Sequence, residues 1–326
     1  ALVLELAEDP RVMLLDRVRF LSIFGSNLDE FSITRLAALH DQVARGSNRP
    51  GPDGLSPAAL LDWLAPAMRQ LLTRASELWQ AALVAELRGA GIDLVPPRAW
   101  QPADREALHA WATAELHPRL VPLGVGRDLA STTHIRSLRP TFLVEVEDGC
   151  GERRTWFVRL PDGCPRFVPL PGTLRFAWLE DVVAAEIPTL VGEGLRLRGM
   201  YLFRVARSAE LELAERATGD TFVQALQTEL LERPFQPAVR VDVAAGTPEE
   251  GIDVIVTQLR RERRCVLDRF RDVFVLTGPL DLRALRDLAT LPQPALRYPS
   301  ARMACPFDPT RPIREQVTER DRPVVF

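Results

Sequence analysis

The stretch "RFLSIFGSNLDEFSITRLAALHDQV", residues 19–43, decides how the N-terminal part of the chain folds. Apolar residues recur at helical spacing on both sides of Gly25, Ser26 and Asn27, which are three residue types that disfavour a helix interior. One interpretation is a tight corner, in which Gly25 ends a helix and Asn27 caps the next with Glu30 completing a capping box. In the alternative, Asn27 points away from the protein, and its amide matches the hydrogen-bonding edge of a purine.

The pattern around this stretch predicts helices up to about residue 118. A second helix begins at Ser56-Pro57, where a Ser N-cap precedes Pro at the first helical position, and extends to about Leu87. A third helix begins near Pro102. Three helices with short connections predict an antiparallel bundle, so residues 1–118 are expected to form an all-α three-helix domain.

After residue 118 the periodicity becomes that of strands mixed with helices. The run "TFLVEVEDGCGERRTWFVRLP", residues 141–161, predicts a hairpin that turns at Asp148-Gly149. The run "AVRVDVAAG", residues 238–246, alternates valines with Arg240 and Asp242, which predicts a half-buried strand. Residues 217–235 are expected to form a helix.

These patterns together predict an α+β multidomain protein. A helical bundle over residues 1–118 is followed by an α+β mixed-sheet head domain over 119–302. Residues 303–326 are rich in Pro and Arg and are expected to form a connector that leads onward.

Composition limits the function classes. With 46% hydrophobic residues and a net charge of -3, the chain has the composition of a globular protein whose polyanion sites, if any, are local. All 41 basic residues are arginine, so a Walker A lysine and a Schiff-base lysine are excluded, and phosphate contacts must use arginine, histidine or neutral donors. No apolar run is long enough to span a membrane. The four cysteines lack CxxC spacing and are expected to be reduced thiols.

Few residues form an enzyme motif. The histidines have no HExxH spacing, and His40 is expected on a helix surface. The acidic pairs Asp29-Glu30 and Glu180-Asp181 are interpreted as helix starts, where carboxylates favour the positive end of the dipole. The densest positive patch is a run of four arginines, Arg260, Arg261, Arg263 and Arg264. This run is either a solvated helix end or a local contact for polyphosphate or nucleic acid.

Three blocks of the sequence resemble bacterial polyphosphate kinases of family one. The block "EDPRVMLLDRVRFLSIFGSNLDEFSITRLAALHDQV", residues 8–43, resembles the N-terminal segment of that family, and residues 26–31 match its Ser-Asn-Leu-Asp-Glu-Phe hexamer in full. The blocks "PRFVPLPG" (165–172), with "RFAWLEDVVAAEIPTL" after it, and "YLFRVARSAELEL" (201–213) are similar to later blocks of the family in the same order.

The resemblance implies a specific activity. These enzymes transfer the terminal phosphate of ATP to a growing inorganic polyphosphate chain and also run in reverse to make ATP. The family has an N-terminal helical domain, a head domain and two C-terminal domains that resemble phospholipase D. The asparagine of the hexamer contacts the nucleotide, which makes Asn27 the expected binding residue for ATP or ADP.

The resemblance also implies what this sequence lacks. The phosphorylated histidine and the arginines for Mg²⁺ and phosphate lie in the family's C-terminal domains, and no position here matches them, so no catalytic or metal residue is assigned. The expected assembly is a homodimer or homotetramer without nucleic acid or a transmembrane segment. The expected location is the cytoplasm, with peripheral association at the inner membrane as the alternative.

The sequence departs from the family pattern in the head domain. The head segment "HIRSLRPTFLVEV", residues 134–146, lacks the asparagines of the family's "FPxLxNLSLNLAV", which weakens the expectation of a phosphate path through residues 134–144. The leading hypothesis is the N-terminal and head portion of a polyphosphate kinase, inactive by itself. The alternative is a non-catalytic nucleotide- or polyphosphate-binding or oligomerisation module of a diverged paralogue.

Overall fold

The structure is a computed structural model that describes residues 2–120, 122–125, 135–192, 194–209, 236–261 and 264–299. For residues 122–125 it describes the backbone only. The predicted helix over 217–235 and the predicted connector over 303–326 lie outside the described residues.

Two long helical segments dominate the N-terminal part. Helix α1 spans Leu2–Glu8, and α2 spans Leu14–Phe31 and continues through a π-helical turn, Ser32–Leu36, into α3, Ala37–Ala44. Helix α4 spans Pro57–Glu77 and continues through a second π-helical turn, Leu78–Leu83, into α5, Val84–Gly89. The predicted cap of α4 is confirmed, because the Ser56 hydroxyl accepts a hydrogen bond from the Ala59 amide.

Helix α2 runs without a break through Gly25, Ser26 and Asn27, so the predicted corner is wrong. A Cβ atom added at Gly25 would lie 2.6 Å from the Cβ of Leu282, because α2 passes very close to the turn that contains Leu282. Gly25 therefore serves helix packing and does not end a helix. Asn27 lies within the last turns of α2, where it caps nothing.

The strands form two sheets. Strands β1 (Asp93–Leu94), β6 (Arg175–Trp178) and β5 (Phe167–Pro169) form a small sheet in that order. The larger sheet has the order β2-β4-β3-β7-β8-β9, with β2 at Pro122–Val125, β3 at Thr141–Asp148, β4 at Arg153–Arg159, β7 at Leu195–Arg207, β8 at Ala238–Ala244 and β9 at Val273–Leu276. Both sheets are mixed, since β1 pairs with β6 and β8 with β9 in parallel. The predicted hairpin is confirmed as β3 and β4.

The remaining helices lie between and after these strands. They are α6 (Pro102–Trp111), α7 (Leu179–Leu190), α8 (Glu249–Arg260), α9 (Arg269–Asp272) and α10 (Leu285–Ala289). The α+β class is confirmed. The third predicted helix forms as α6, but Leu108 packs in one core with Val144 of β3 and Val183 of α7, and not with α2 and α4.

The hydrophobic core of the N-terminal helices also contains residues from near the end of the described chain. Leu21 and Leu72 pack with Phe274 and Leu276 of β9 and with Leu285 of α10. The helical layer therefore rests directly on the sheet edge, and the three-helix bundle expected from the sequence is replaced by α1, α2, α4 and α10 against β9.

Strand β8 differs most from its prediction. The valines at alternate positions are buried as expected, but Arg240 and Asp242 on the other face are each only 2% exposed. That face is covered by the π-helical turn after α2, where the Ser32 hydroxyl accepts a hydrogen bond from Arg240 Nη1 at 3.2 Å. Strand β8 therefore lies between two layers, and its charged face is covered and not solvated.

Candidate functional site

Asn27 lies on the exposed face of α2. Ser26, Asn27 and Glu30 are exposed, and they share this face with Thr34 of the π-helical turn. The Ser26 hydroxyl donates to the Ser22 carbonyl at 3.1 Å, and the Thr34 hydroxyl donates to the Glu30 carbonyl. Among the residues that the structure describes, no side chain or backbone group forms a hydrogen bond with the side-chain amide of Asn27. Its donors and acceptor are directed to solvent and free for a ligand.

Two residues further along, Asp29 is buried and held by the sheet. Arg204 Nη1 of β7 donates to Asp29 Oδ1 at 2.9 Å, and Arg204 Nη2 donates to Asp29 Oδ2. Arg283 Nε lies 3.0 Å from Asp29 Oδ2. The two-pronged geometry fixes both oxygens of the carboxylate, so it sets the rotation of α2 about its axis and with it the outward direction of Asn27.

Asp29 belongs to a larger group that we call the buried ion network. Its eight members are Asp29, Arg166, Glu180, Arg204, Arg240, Asp242, Asp281 and Arg283. The four arginines and four carboxylates balance in formal charge. They come from α2, β7, β8, α7, the segment before β5 and the turn before α10, so the network joins the helical layer to both sheets.

Asp281 is a hub of the network. Its Oδ2 accepts from Arg166 Nη1 at 2.9 Å, and its Oδ1 accepts from Arg283 Nε at 3.0 Å. Burial by itself raises the pKa of the Asp281 carboxyl, but Arg204, Arg283 and Arg166 outweigh it and lower the pKa below its usual value. The carboxyl is therefore ionised at neutral pH.

The pKa values of Arg204 and Glu180 are shifted by different dominant causes. Burial lowers the pKa of Arg204, yet the carboxylates of Asp29 and Asp281 outweigh it and raise the pKa above its usual value. Burial raises the pKa of Glu180 at the far end of the network, and the bond from Arg166 opposes this only in part. Burial is thus the larger effect at Glu180, whereas the neighbouring carboxylates together are the larger effect at Arg204.

His40 is buried, which corrects the expectation of a surface position. Its side chain is 3% exposed, and its Nε2 lies 3.4 Å from Asp272 Oδ1. Asp272 is also paired with Arg271, and its pKa is lowered by His40 and Arg271 against the opposing effect of burial. This second buried group joins α3 to α9 and lies inside the protein, away from the exposed face of α2.

The acidic side chains around α2 form no group of three potential metal ligands among the described residues. The buried carboxylates of Asp29, Asp242 and Asp281 are each paired with arginine.

The sequence-based assignments have mixed outcomes. Glu180 and Asp181 lie in the first turn of α7 as predicted, whereas Asp29 is an internal helix residue that pairs with a strand. Within the arginine run, Arg260 Nε donates to the Leu267 carbonyl at 2.7 Å, and Arg263 lies outside the described residues. The role of Asn27 in binding a nucleotide stays a prediction.

The buried ion network was missed by sequence reasoning. A signal for it does exist, because Arg204, Arg240 and Asp242 each stand between apolar residues within strand runs. A charged residue that interrupts such a run is expected either at a solvated face or in a buried pair. The partner Asp29, far away in sequence, is visible only in the fold.

No helix in the described part of the chain has both the length and the apolar character that a membrane span requires.

Family models match almost all of this region. The model for the polyphosphate kinase N-terminal domain matches residues 1–95, and the model for the polyphosphate kinase middle domain matches residues 103–288. The polyphosphate kinase of Streptomyces coelicolor is 33% identical over 300 residues, which cover 91% of this chain and 38% of that protein. That of Thermosynechococcus vestitus is 32% identical over 329 residues, covering 98% of this chain and 43% of that protein.

A solved structure agrees in fold. The crystal structure of the polyphosphate kinase from Porphyromonas gingivalis superposes with a TM-score of 0.69 and 22% identity, over 91% of this chain and 40% of that chain. The present chain therefore spans about 40% of the length of these relatives. With both family models in chain order and relatives above 30% identity, the chain belongs to the polyphosphate kinase family.

Proposed function

We propose that this chain is the N-terminal and head portion of an enzyme that transfers the γ-phosphate of ATP reversibly to inorganic polyphosphate. In this proposal a histidine outside the matched region would attack the γ-phosphorus of ATP, and the bond to the bridging oxygen would break with release of ADP. The phosphoryl group would then pass from the histidine to the end of the polyphosphate chain. Mg²⁺ and arginines in other parts of the enzyme would stabilise the charge on the transferred group. The described residues contribute nucleotide binding and positioning. ATP, ADP and polyphosphate are the proposed ligands.

The observation that carries the proposal is the contrast between Asn27 and Asp29. Asp29 is fully engaged by Arg204, whereas the Asn27 amide has no partner in the described ranges and faces solvent. An exposed asparagine that neither caps its helix nor bonds to the protein is free to bind a purine edge with two donors and an acceptor. The buried ion network holds the helix that presents it, which reduces the ordering cost of binding.

The test is a calorimetric titration of the chain with ATP and with ADP. The chain contains two asparagines, and both stand in a Gly-Ser-Asn sequence, at Asn27 and at the exposed Asn48. Asn27→Ala is expected to weaken nucleotide binding about tenfold, the value of one or two hydrogen bonds. Asn48→Ala is the matched control and is expected to leave the affinity unchanged.

Equal binding by both variants would refute the nucleotide role of Asn27. Absence of nucleotide binding by the unmodified chain would refute it as well. A thermal melt of each variant completes the control, since an exposed residue without a cap role changes stability by less than about 0.5 kcal/mol when it is truncated.

The alternative function is a non-catalytic module that binds nucleotide or polyphosphate, or that assembles subunits, in a diverged paralogue. Its discriminating observation is complementation. The chain is mixed with a polyphosphate kinase that lacks its own N-terminal and middle domains. The N-terminal and head portion of a working enzyme is expected to restore ATP-dependent synthesis, whereas a diverged module is not. A homodimer or homotetramer and a cytoplasmic or inner-membrane location remain proposals, to be tested by sedimentation and fractionation.

A further inference from the structure

Three arginines converge on one side of the head domain. Arg136 Nη1 lies 2.9 Å from Asp162 Oδ2, and Arg139 Nη2 pairs with Asp162 Oδ1. Arg159, at the end of β4, lies opposite Thr141 of β3, two residues after Arg139. No acidic residue in the described ranges forms an ion pair with Arg159. Within the described ranges one carboxylate faces three guanidinium groups, so the formal charges of these four residues sum to +2 in a protein whose overall charge is -3.

The pKa of Arg159 reflects both its burial and its positive neighbours. Burial lowers the pKa of its guanidinium, and the positive charges of Arg136 and Arg139 lower it further, while Asp162 opposes the effect. The side chains of Arg136, Arg139 and Asp162 are 54%, 41% and 44% exposed, so a ligand can reach them from solvent.

The loop that carries Arg136 and Arg139 is rigidly held. Arg207 Nε donates to the Ile135 carbonyl at 2.7 Å, and the Arg207 amide donates to the Ser137 hydroxyl at 3.0 Å. Leu138 adopts a left-handed conformation with φ of 60°, which a bulky residue avoids unless its surroundings impose it. Its amide donates to the Val205 carbonyl at 2.7 Å.

The same loop is tied to the buried ion network. The Leu138 carbonyl accepts from Arg283 Nη2 at 3.0 Å and from Arg204 Nε at 3.3 Å. Arg204 is the residue that holds Asp29 and therefore α2. The buried ion network therefore contacts both the helix that carries Asn27 and the loop that carries Arg136 and Arg139.

We propose that Arg136, Arg139 and Arg159 form a binding site for a condensed phosphate chain. Guanidinium groups bind phosphate oxygens through paired hydrogen bonds, and consecutive phosphates along such a chain match several closely spaced guanidinium groups. The rigid loop lowers the ordering cost of binding. The site rests on the proposed function for its ligand class, because polyphosphate is the proposed substrate and product.

The probe is inorganic polyphosphate with a fluorescent label at one end, titrated with the 326-residue chain while anisotropy is recorded. The double variant Arg136→Gln/Arg139→Gln is expected to bind at least about tenfold more weakly. It should also lose about two units of the slope of log affinity against log salt. Asp162→Asn removes the central negative charge and is expected to bind more tightly, so the two variants shift the affinity in opposite directions.

The matched control is Arg153→Gln, which removes the same charge from the opposite end of β4, where the side chain is 82% exposed. It is expected to leave affinity within about twofold, since distant exposed charges are screened. The proposal is overturned if the double variant behaves like Arg153→Gln, if Asp162→Asn weakens binding, or if the unmodified chain does not bind the probe.

Competitors identify the source of the phosphate chain. Selective loss of polyphosphate binding in the double variant, with ATP binding retained, assigns the site to polyphosphate. Equal loss of both assigns it also to the triphosphate tail of the nucleotide. A single-stranded oligonucleotide that binds more tightly than polyphosphate would contradict the assignment. The titration of the Asn27 and Asn48 variants leaves these arginines in place, so either proposal can fail while the other stands.

Discussion

The guanidinium group of Arg204 in strand β7 donates hydrogen bonds to both carboxylate oxygens of Asp29 in helix α2, and each side chain is about 3–5% exposed. This contact spans 175 positions of sequence and joins the helical layer to the larger sheet. Because Asp29 lies two residues after Asn27, the pair fixes which face of α2 is presented to solvent.

Breaking this pair is expected to be strongly destabilising. Asp29→Asn leaves the Arg204 charge buried with fewer carboxylates around it, and loss of one partner of a buried pair costs about 3 kcal/mol of unfolding free energy. Urea denaturation measures the change. The control is Glu8→Gln, which makes the same acid-to-amide change in the partly exposed pair with Arg74 and should cost less than about 1 kcal/mol. Equal losses in the two variants would show that the buried ion network does not hold α2.

Gly25 is expected to resist substitution by alanine although it lies inside a helix. The new methyl group would meet Leu282 at 2.6 Å, so Gly25→Ala should lower the unfolding free energy by about 1–3 kcal/mol. At Gly89, at the end of α5, no atom lies within 4 Å of an added Cβ. Gly89→Ala should therefore raise stability by about 0.5–1 kcal/mol. Thermal melts compare the two, and a stabilised Gly25→Ala would argue against close packing of α2 on the Leu282 turn.

Asp181 gives the stability a dependence on pH. Burial, with the neighbouring Glu180, raises the pKa of its carboxyl from 3.8 to about 7. The folded state therefore binds a proton that the unfolded state has lost between about pH 4 and pH 7, so this residue makes stability fall as the pH rises through that window. Above pH 7 the full penalty is present.

Asp181→Asn removes the titrating group. The variant is expected to be more stable than the unmodified chain at pH 8, by about 2 kcal/mol after allowance for partial exposure, and to show a smaller loss of stability between pH 4 and pH 7. Urea denaturation across this range is the measurement. An unchanged pH slope would mean that Asp181 ionises in the folded protein at its usual pKa.

Local patterns in the sequence were sufficient for the α+β class, the cap at Ser56 and the hairpin at Asp148, because each depends on neighbouring residues. The corner at Gly25 was predicted wrongly for the same reason. Glycine ends helices often, and only the approach of Leu282, far along the chain, shows why this glycine lies within one.

The candidate site was also only partly predictable from the sequence. The hexamer that contains Asn27 is recognisable in the sequence, but its surroundings are built from residues that are distant in the chain. Arg240 and Asp242 looked like the solvated side of a strand, because alternation cannot distinguish a solvent face from a face covered by another charged layer. The pairing of Asp29 with Arg204 required the fold itself.

The most direct test of the account is the response of the Asn27 amide to nucleotide. Asparagine labelled with ¹⁵N in its side chain gives two nitrogen resonances from this chain, one from the side-chain amide of Asn27 and one from that of Asn48. Each resonance is assigned by its loss in the corresponding alanine variant. Addition of ADP is predicted to shift the Asn27 side-chain signal and to leave that of Asn48 in place. An Asn27 signal that does not move at saturating ADP would contradict the central claim that this residue binds the nucleotide.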